Sequence, residues 1–322
     1  MLLAYEKIIS LENLFVAWQE FIRGKKNKPD VELFARSLID NILELHNDLV
    51  NNNYRHGQYR EFNISDPKPR KISKASVRDR LLHHAIYRIL YPFFDQTFIH
   101  DSYSCRVNKG THKAIRRFRS MFLEVSNYNR RTCWVLKLDI RKFFANIDHE
   151  ILLYILKEYI PDENIIRLLQ EIINSFGSGL PLGNLTSQLF VNIYMNEFDQ
   201  FVKHKLQAQY YIRYADDFVI LSHSKTELEN LIGQIKKFLA EQLKLTLHPN
   251  KIILKSFASG VDFLGWVNFS HHRVLRTATK RRMLRRINKS NLASYLGLIK
   301  HGNTTKIELQ LRNLYWLLTD SI

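Results

Sequence analysis

Two aspartates stand side by side, Asp216 and Asp217, in the otherwise apolar and aromatic run YYIRYADDFVILSH. A third, Asp139, closes the apolar run WVLKLD. A bend between two strands favours aspartate, so a solvated hairpin turn is one reading of the pair. The flanks argue for another, because Ile212, Phe218, Ile220 and Leu221 suit a hairpin that packs in a core. Two carboxylates near a core repel each other and lose hydration, which raises at least one pKa unless a cation joins them. A strand end beside a hairpin tip would bring Asp139, Asp216 and Asp217 together. Mg2+ takes oxygen ligands, keeps some waters, and is commonly shared between carboxylates and substrate phosphates. Two such ions, about 4 Å apart, activate a hydroxyl nucleophile and stabilise a leaving pyrophosphate. In that arrangement Asp139 and Asp216 bridge both ions and Asp217 assists one, with Mn2+ able to substitute.

The run TCWVLKLDI is β-rich and ends in Asp139, and RKFFANIDHEILLYIL turns helical after Asp148. The hairpin at 210–223, a helix over 225–243 and short strands up to Trp266 follow. This order predicts an α+β sandwich with helices on one sheet face. Upstream, the first fifty residues read as two amphipathic helices. Ser10 caps the first, which carries Leu11, Leu14, Phe15 and Trp18 and ends at Gly24; Asp30 caps the second, with Phe34, Leu38, Ile42 and Leu45 on one face. Residues 59–64 alternate like a strand, and Pro67 and Pro69 interrupt a basic turn before Ile72. VRDRLLHHAIYRILYPFF is a helix closed near Pro92. Its His83–His84 pair lacks the i,i+4 spacing that puts two metal ligands on one face, and reads as core or helix surface. YSCRVNKGTHKAIRRF is a glycine-broken basic loop opening a basic helix. From Arg273 the chain is Arg/Lys-dense and helical, with Met283, Ile287, Leu292 and Leu296 at near-helical spacing.

The 322 residues carry 48 Lys+Arg against 31 Asp+Glu, a formal net charge of +17. Such an excess suits a polyanionic partner, whose bound counterions are released as phosphates are neutralised. With 45% hydrophobic and 25% charged residues, the composition is globular rather than disordered. Cys105 and Cys133 are the two cysteines, which excludes a disulfide framework and gives no zinc-ribbon spacing. The N-terminal stretch carries Glu6 and Glu12 and no leading basic segment. Without a run of about 18 uncharged apolar residues, no membrane partner and a cytoplasmic location are expected.

In chain order, KLDIRKFFANIDH, GLPLGNLTSQLFVNIYMNEFD, YIRYADDFVIL, LKLTLHPNKI and DFLGW resemble the successive palm motifs of reverse transcriptases. KPRKIS, VRDRLLHHAI and SYSCRVNKGTHKAI are similar to finger motifs of the bacterial, group-II-intron-like branch. The resemblance spans residues 54–301 and narrows to the reverse transcriptases of diversity-generating retroelements. PLGNLTSQ resembles their motif, whereas intron enzymes usually have Gln at the position of Leu182 and Pro at that of Gln188. A right-hand polymerase fold is implied, α+β, with an antiparallel palm sheet backed by helices. Residues 1–130 would be N-terminal helices and fingers, 131–268 palm (160–185 partly fingers), and 269–322 a helical thumb.

The resemblance implies an RNA-directed DNA polymerase using dNTPs and two Mg2+, with Asp139, Asp216 and Asp217 catalytic and Ile140 added to the metal-binding set. Phe144 falls at the steric-gate position, where a ring collides with a ribonucleotide 2′-hydroxyl; otherwise Phe143 and Phe144 read as core. Lys68 and Arg70 are placed over the incoming triphosphate, where the planar arginine fork suits phosphate oxygens, and Lys251 near the nucleotide. Leu182 sits beside the nascent base pair, where it cannot replace the hydrogen bonds of Gln. Losing one such contact, about 1 kcal/mol, changes discrimination several-fold, which is compatible with the error-prone copying at template adenines associated with the family. Arg78, Arg80, Arg106 and Lys109 are assigned to template or primer backbone, Tyr214 to the primer terminus, and Gly265 and Trp266 to the segment gripping the primer. Arg281 and Arg285 of the thumb would track the duplex through shape and phosphates. Implied partners are a structured template RNA, the RNA–cDNA hybrid and a small basic helical accessory protein. The implied task is copying a template-repeat RNA into adenine-mutagenised cDNA. The alternatives are a defence-associated or intron-type reverse transcriptase, or a non-catalytic, maturase-like RNA-binding protein; a pure binder has no need of the acidic trio.

Overall fold

The structure, a computed structural model, describes residues 3–65 and 69–319. The chain opens with α1 (Tyr5–Ile9), α2 (Leu11–Phe21), α3 (Pro29–Arg36) and α4 (Leu38–Val50). Ser10 caps α2, its hydroxyl accepting from the Asn13 N–H. Asp30 is not the cap expected of it. Lys28 holds that position, Pro29 starts the helix with a preset φ, and Asp30 is taken up by Lys74 and Arg80. The second expected helix is two, because Ser37 leaves helical geometry at φ −120°, ψ 45°. That break lets α4 turn Ile42, Leu45 and Leu49 inward while α3 buries Val31.

β1 (Arg60–Ile64) and β2 (Arg70–Lys74) form an antiparallel hairpin with Arg60 opposite Lys74. α5 (Val77–Asp95) continues through Pro92 instead of closing there. An interior proline costs about 3 kcal/mol, and the burial of Leu90, Tyr91 and Phe94 around it offsets that cost. The chain then runs through α6 (Thr111–Val125), β3 (Trp134–Asp139), α7 (His149–Tyr159), α8 (Glu163–Asn174) and α9 (Leu185–Gln200). Next come β4 (Tyr210–Tyr214), β5 (Asp217–Ser222), α10 (Lys225–Leu243) and β6 (Ile253–Ser256). The remainder is β7 (Val261–Phe263), β8 (Trp266–Asn268), β9 (Arg273–Leu275), α11 (Thr277–Arg286), α12 (Leu292–Ile299) and α13 (Thr305–Thr319). Among the described residues no helix is long and apolar enough to cross a membrane.

Two compact units divide these elements, neither contiguous in sequence. The first takes residues 1–106, 140–207 and 235–247. Its core is helical: α5 packs against α2 and α9, and α7 against α8 and α9. Within it Asp79, 1% exposed, accepts hydrogen bonds from Tyr54 Oη (2.8 Å), Ser76 Oγ (2.6 Å) and the Gly57 N–H (3.2 Å). Beside this knot the His83 ring stacks on His56 at 5.3 Å, fully buried, with neither ring nitrogen hydrogen-bonded. Burial, reinforced by His56 and opposed by Asp79, pushes the His83 pKa down to about 3. A histidine depressed in the folded state takes up its proton preferentially on unfolding, so its stabilising effect is complete above the unfolded pKa of about 6.5 and drains away as pH falls toward 3. Replacing His83 with phenylalanine is therefore expected to flatten the acid limb of a Tm-against-pH curve between pH 6.5 and 4; an unchanged limb would remove His83 as its cause.

The second unit takes residues 107–139, 208–234 and 248–322. Its main sheet has the order β4-β5-β3-β6, all antiparallel. α6 packs on β4 and β5; its Phe122 stacks on Phe257, and its Phe118 packs at a tilt against Phe257 and Phe263. A second sheet, β7-β8-β9, leads into the C-terminal helices. Their core gathers Trp266, Leu275, Met283, Ile287, Ile299, Ile307 and Leu311 on Ile115 of α6.

Candidate active site

β3 alternates, so Val135, Lys137 and Asp139 share one face. Its antiparallel register with β5 sets Asp139 opposite Asp217 and Lys137 opposite Val219. Directly opposed side chains lie on the same face with Cβ atoms roughly 5 Å apart, so two of the three acids meet at the sheet end by strand pairing alone. The β4–β5 hairpin pairs Tyr214 with Asp217 and leaves Ala215 and Asp216 as a two-residue turn. Ala215 has φ +55°, a left-handed conformation that hairpin turns usually give to glycine. Asp216, next in the turn, is half-buried.

Two lysines answer this concentration of negative charge. Lys251 Nζ lies 2.7 Å from Asp139 Oδ1, and Lys137 Nζ lies 3.0 Å from Asp217 Oδ2. Asp217 Oδ1 is buried without a hydrogen-bond partner. Burial pushes the Asp217 carboxyl up to about 6; Lys137 pulls it down, and Asp139 and Asp216 add to the rise. Among the described residues no three His, Cys, Asp or Glu side chains are drawn into a closed metal cluster. Backbone register thus brings Asp139 opposite Asp217, with Asp216 in the adjoining turn, while lysine ammonium groups hold two of the carboxylates. The donor chemistry fits Mg2+ or Mn2+: hard oxygens, clustered negative charge, and one buried carboxylate oxygen with no donor.

Ile140 is buried in the first unit and bridges Leu247; only its main-chain oxygen can serve a cation. Phe143 is buried and Phe144 half-buried, which separates the core ring from the accessible one. The Phe144 carbonyl accepts from the Leu180 N–H at 2.7 Å. A Cβ on Gly179 would lie 2.3 Å from that same oxygen, so only glycine lets the two loops touch. Leu182 is half-buried, and its carbonyl accepts from the Ser73 N–H at 3.1 Å, while Asn184 Nδ2 donates to Ser73 O. The loop carrying Leu182 is thereby laced to β2, whose first residue, Arg70, is exposed. Lys68 lies outside the described residues.

Several residues expected to face nucleic acid have intramolecular work. Arg78 pairs with Asp48 and Arg80 with Asp30. Arg106, 5% exposed in its side chain, bonds Asp95 and the carbonyls of Ile99 and Ser102. The Trp266 ring is 1% exposed and lies in the core formed with the C-terminal helices, so the segment expected to grip the primer turns this side chain inward. Gly265 does sit in a tight turn, with φ +87° beside Leu264 at +50°. Tyr214 Oη accepts from Thr111 Oγ1 at 3.1 Å. Lys109 lies in the loop before α6, and Arg281 and Arg285 are exposed on α11. Sequence reasoning overlooked Lys137, although a lysine alternating with Asp139 in an apolar strand was a visible signal.

Solved structures identify the class to which this fold belongs. Telomerase from Candida albicans in complex with a fragment of telomeric RNA superposes with a TM-score of 0.53 at 11% identity, over 79% of this chain and 54% of that one. Apo telomerase from Candida tropicalis gives 0.50 at 11% identity, over 74% and 60%. The fold is α+β, of the right-hand polymerase type. The family description "Reverse transcriptase (RNA-dependent DNA polymerase)" matches residues 64–268, and the chain belongs to that family. Protein YkfC of Escherichia coli is 25% identical over 67% of this chain and 66% of its own length. The group II intron-encoded protein LtrA of Lactococcus lactis is 22% identical over 62% and 44%. The chain therefore spans less than two thirds of the length of these relatives.

Proposed function

We propose that the protein is an RNA-directed DNA polymerase that extends a primer on a structured RNA template by two-metal nucleotidyl transfer. The observation that carries this reading is the Asp139–Asp217 pair across β3 and β5, with Asp216 in the adjoining turn and the Asp217 Oδ1 oxygen buried without a donor. Asp139, Asp216 and Asp217, with the main chain of Ile140, would hold Mg2+. When bound, the ions supply Lewis-acid activation of the primer hydroxyl and neutralise the leaving pyrophosphate. Lys251, 44% exposed on a short 3-10 turn and paired with Asp139, would exchange that carboxylate for a nucleotide phosphate. Arg70 and Lys68 bind the triphosphate, Phe144 excludes the ribose 2′-hydroxyl, and Arg281 and Arg285 follow the hybrid backbone. Fingers over 1–130, palm over 131–268 and thumb over 269–322 accompany this reading, as does a cytoplasmic location. Purified protein supplied with an RNA template, DNA primer, dNTPs and Mg2+ should synthesise cDNA, and chelation by EDTA should stop it; full-length protein that binds the hybrid yet never extends it would overturn the reading.

The finer role we infer is that of a diversity-generating retroelement, which copies a template repeat with errors at adenine and works with a small basic helical accessory protein. Leu182 supports it: laced to β2 through Ser73, it offers an apolar side chain where intron enzymes carry a glutamine. Replacing Leu182 with glutamine is expected to lower misincorporation opposite template adenine several-fold, since one polar contact is worth about 1 kcal/mol. Sequenced cDNA with the same adenine error frequency as the parent would refute that role for Leu182. An intron-type or maturase-like role is the second reading, and the intron-encoded relative LtrA favours it.

A further inference from the structure

We propose that Lys137 is a positioning residue that fixes the Asp217 carboxylate and ties it to β7, the strand entering the segment that family resemblance assigns to the primer grip. The inference rests on the polymerase reading above. Lys137 Nζ lies 3.0 Å from Asp217 Oδ2 and donates to the Asp262 carbonyl at 2.7 Å. The Phe263 ring closes over it, 5.9 Å from the ammonium to the ring centroid. Its side chain is only 12% exposed. An ammonium so enclosed is tolerated only when paired and hydrogen-bonded, and both partners come from segments distant in sequence. Lys137 is thus a cross-brace between β3, the start of β5 and β7.

The brace explains an asymmetry between the two lysines. Lys251 meets Asp139 from an exposed turn, so phosphate can draw it away. Lys137 is anchored on three sides and stays. By holding Oδ2 it leaves Oδ1, buried and without a donor, as the Asp217 oxygen that a cation would satisfy, and its fixed charge weakens the hold of Asp217 on that cation. The site gains direction at the expense of affinity, in keeping with Asp217 assisting one ion while Asp139 and Asp216 do more. A shift of β7 under the primer strand would be felt directly at the carboxylate.

A double-substitution cycle decides the matter in the full chain, first without metal. Lys137→Met and Asp217→Asn should each lower Tm, the former by about 5–10 °C because it strands a buried charge, and the pair together should fall no further than the worse single. Losses that simply add would show the two groups to be independent and sink the brace. In single-nucleotide extension, Lys137→Met should lower kcat at least about tenfold with dNTP KM within about twofold, the signature of a lost interaction in the reacting complex. The Mg2+ concentration for half-maximal rate should also fall, since a competing cation has gone, and Lys137→Arg should recover most of kcat. A Lys137→Met protein that melts lower yet keeps wild-type kcat and Mg2+ dependence would reduce Lys137 to a structural residue and overturn the proposal. If the parent protein extends no primer, the polymerase reading fails alone, and the melting cycle still decides whether the brace exists.

Discussion

Replacing Asp216 with alanine is expected to cut RNA-templated DNA synthesis by about 10³-fold or more while leaving affinity for an RNA–DNA hybrid within about twofold. The first effect follows from the share of catalysis that metal ions carry in phosphoryl chemistry, several kcal/mol of transition-state charge stabilisation. The second follows from sign. On the polymerase reading, hybrid binding by a chain of net charge +17 would rest on cations, and removing one carboxylate would take away no phosphate contact, so the dependence of log K on log salt should keep its slope. Stability should hold or rise slightly, because Asp216 is one of the charges that push the Asp217 carboxyl upward, and functional sites trade stability for chemistry. Primer extension, hybrid binding at several salt concentrations, and thermal melting on the same preparation separate these outcomes. Loss of binding in proportion to synthesis would show the acids to be structural, and the maturase-like reading would then lead.

Much of this site was legible in the primary structure because strand periodicity is short and local. WVLKLD and the two runs flanking ADD announce strands, and once β3 and β5 pair antiparallel the acids at their ends must meet. Ser10 as a helix cap, and the helical turn after Asp148, were legible for the same reason, since a cap bonds an N–H only three residues away. What escaped depends on partners distant in sequence. Asp30 looks like a cap until Lys74 and Arg80, more than forty residues on, claim its carboxylate. Pro92 looks like a helix stop until buried neighbours hold α5 together through it. The burial of Trp266 depends on Met283, Ile299 and Leu311, members of the same core cluster that follow it by 17 to 45 residues. The division into units was equally hidden, because each unit is assembled from three separated segments and no composition change marks their joins.

Truncating Phe144 to alanine should lower the preference for dNTPs over rNTPs on the order of 10²-fold, about 3 kcal/mol, with kcat/KM for dNTPs falling less than about tenfold. Exclusion by clash disappears when the clashing group does, whereas attraction to the correct nucleotide is held by other residues. The local structure makes Phe144 a clean probe. Its main chain is fastened by the Leu180 N–H and by the close approach of Gly179, neither of which involves the ring. The neighbouring Phe143, packed edge-on to it at 5.6 Å, supplies the buried ring that holds the turn in the core. Phe143→Ala should therefore cost stability, about 3–5 kcal/mol for a buried ring, without admitting ribonucleotides. Phe144→Ala should do the reverse, and Phe144→Tyr should retain the gate. Extension with dNTPs and rNTPs in separate reactions, alongside melting of all three variants, tests the assignment. If Phe143→Ala admitted ribonucleotides while Phe144→Ala did not, the gate would belong to the other ring and the half-buried one would be left without a role in sugar selection.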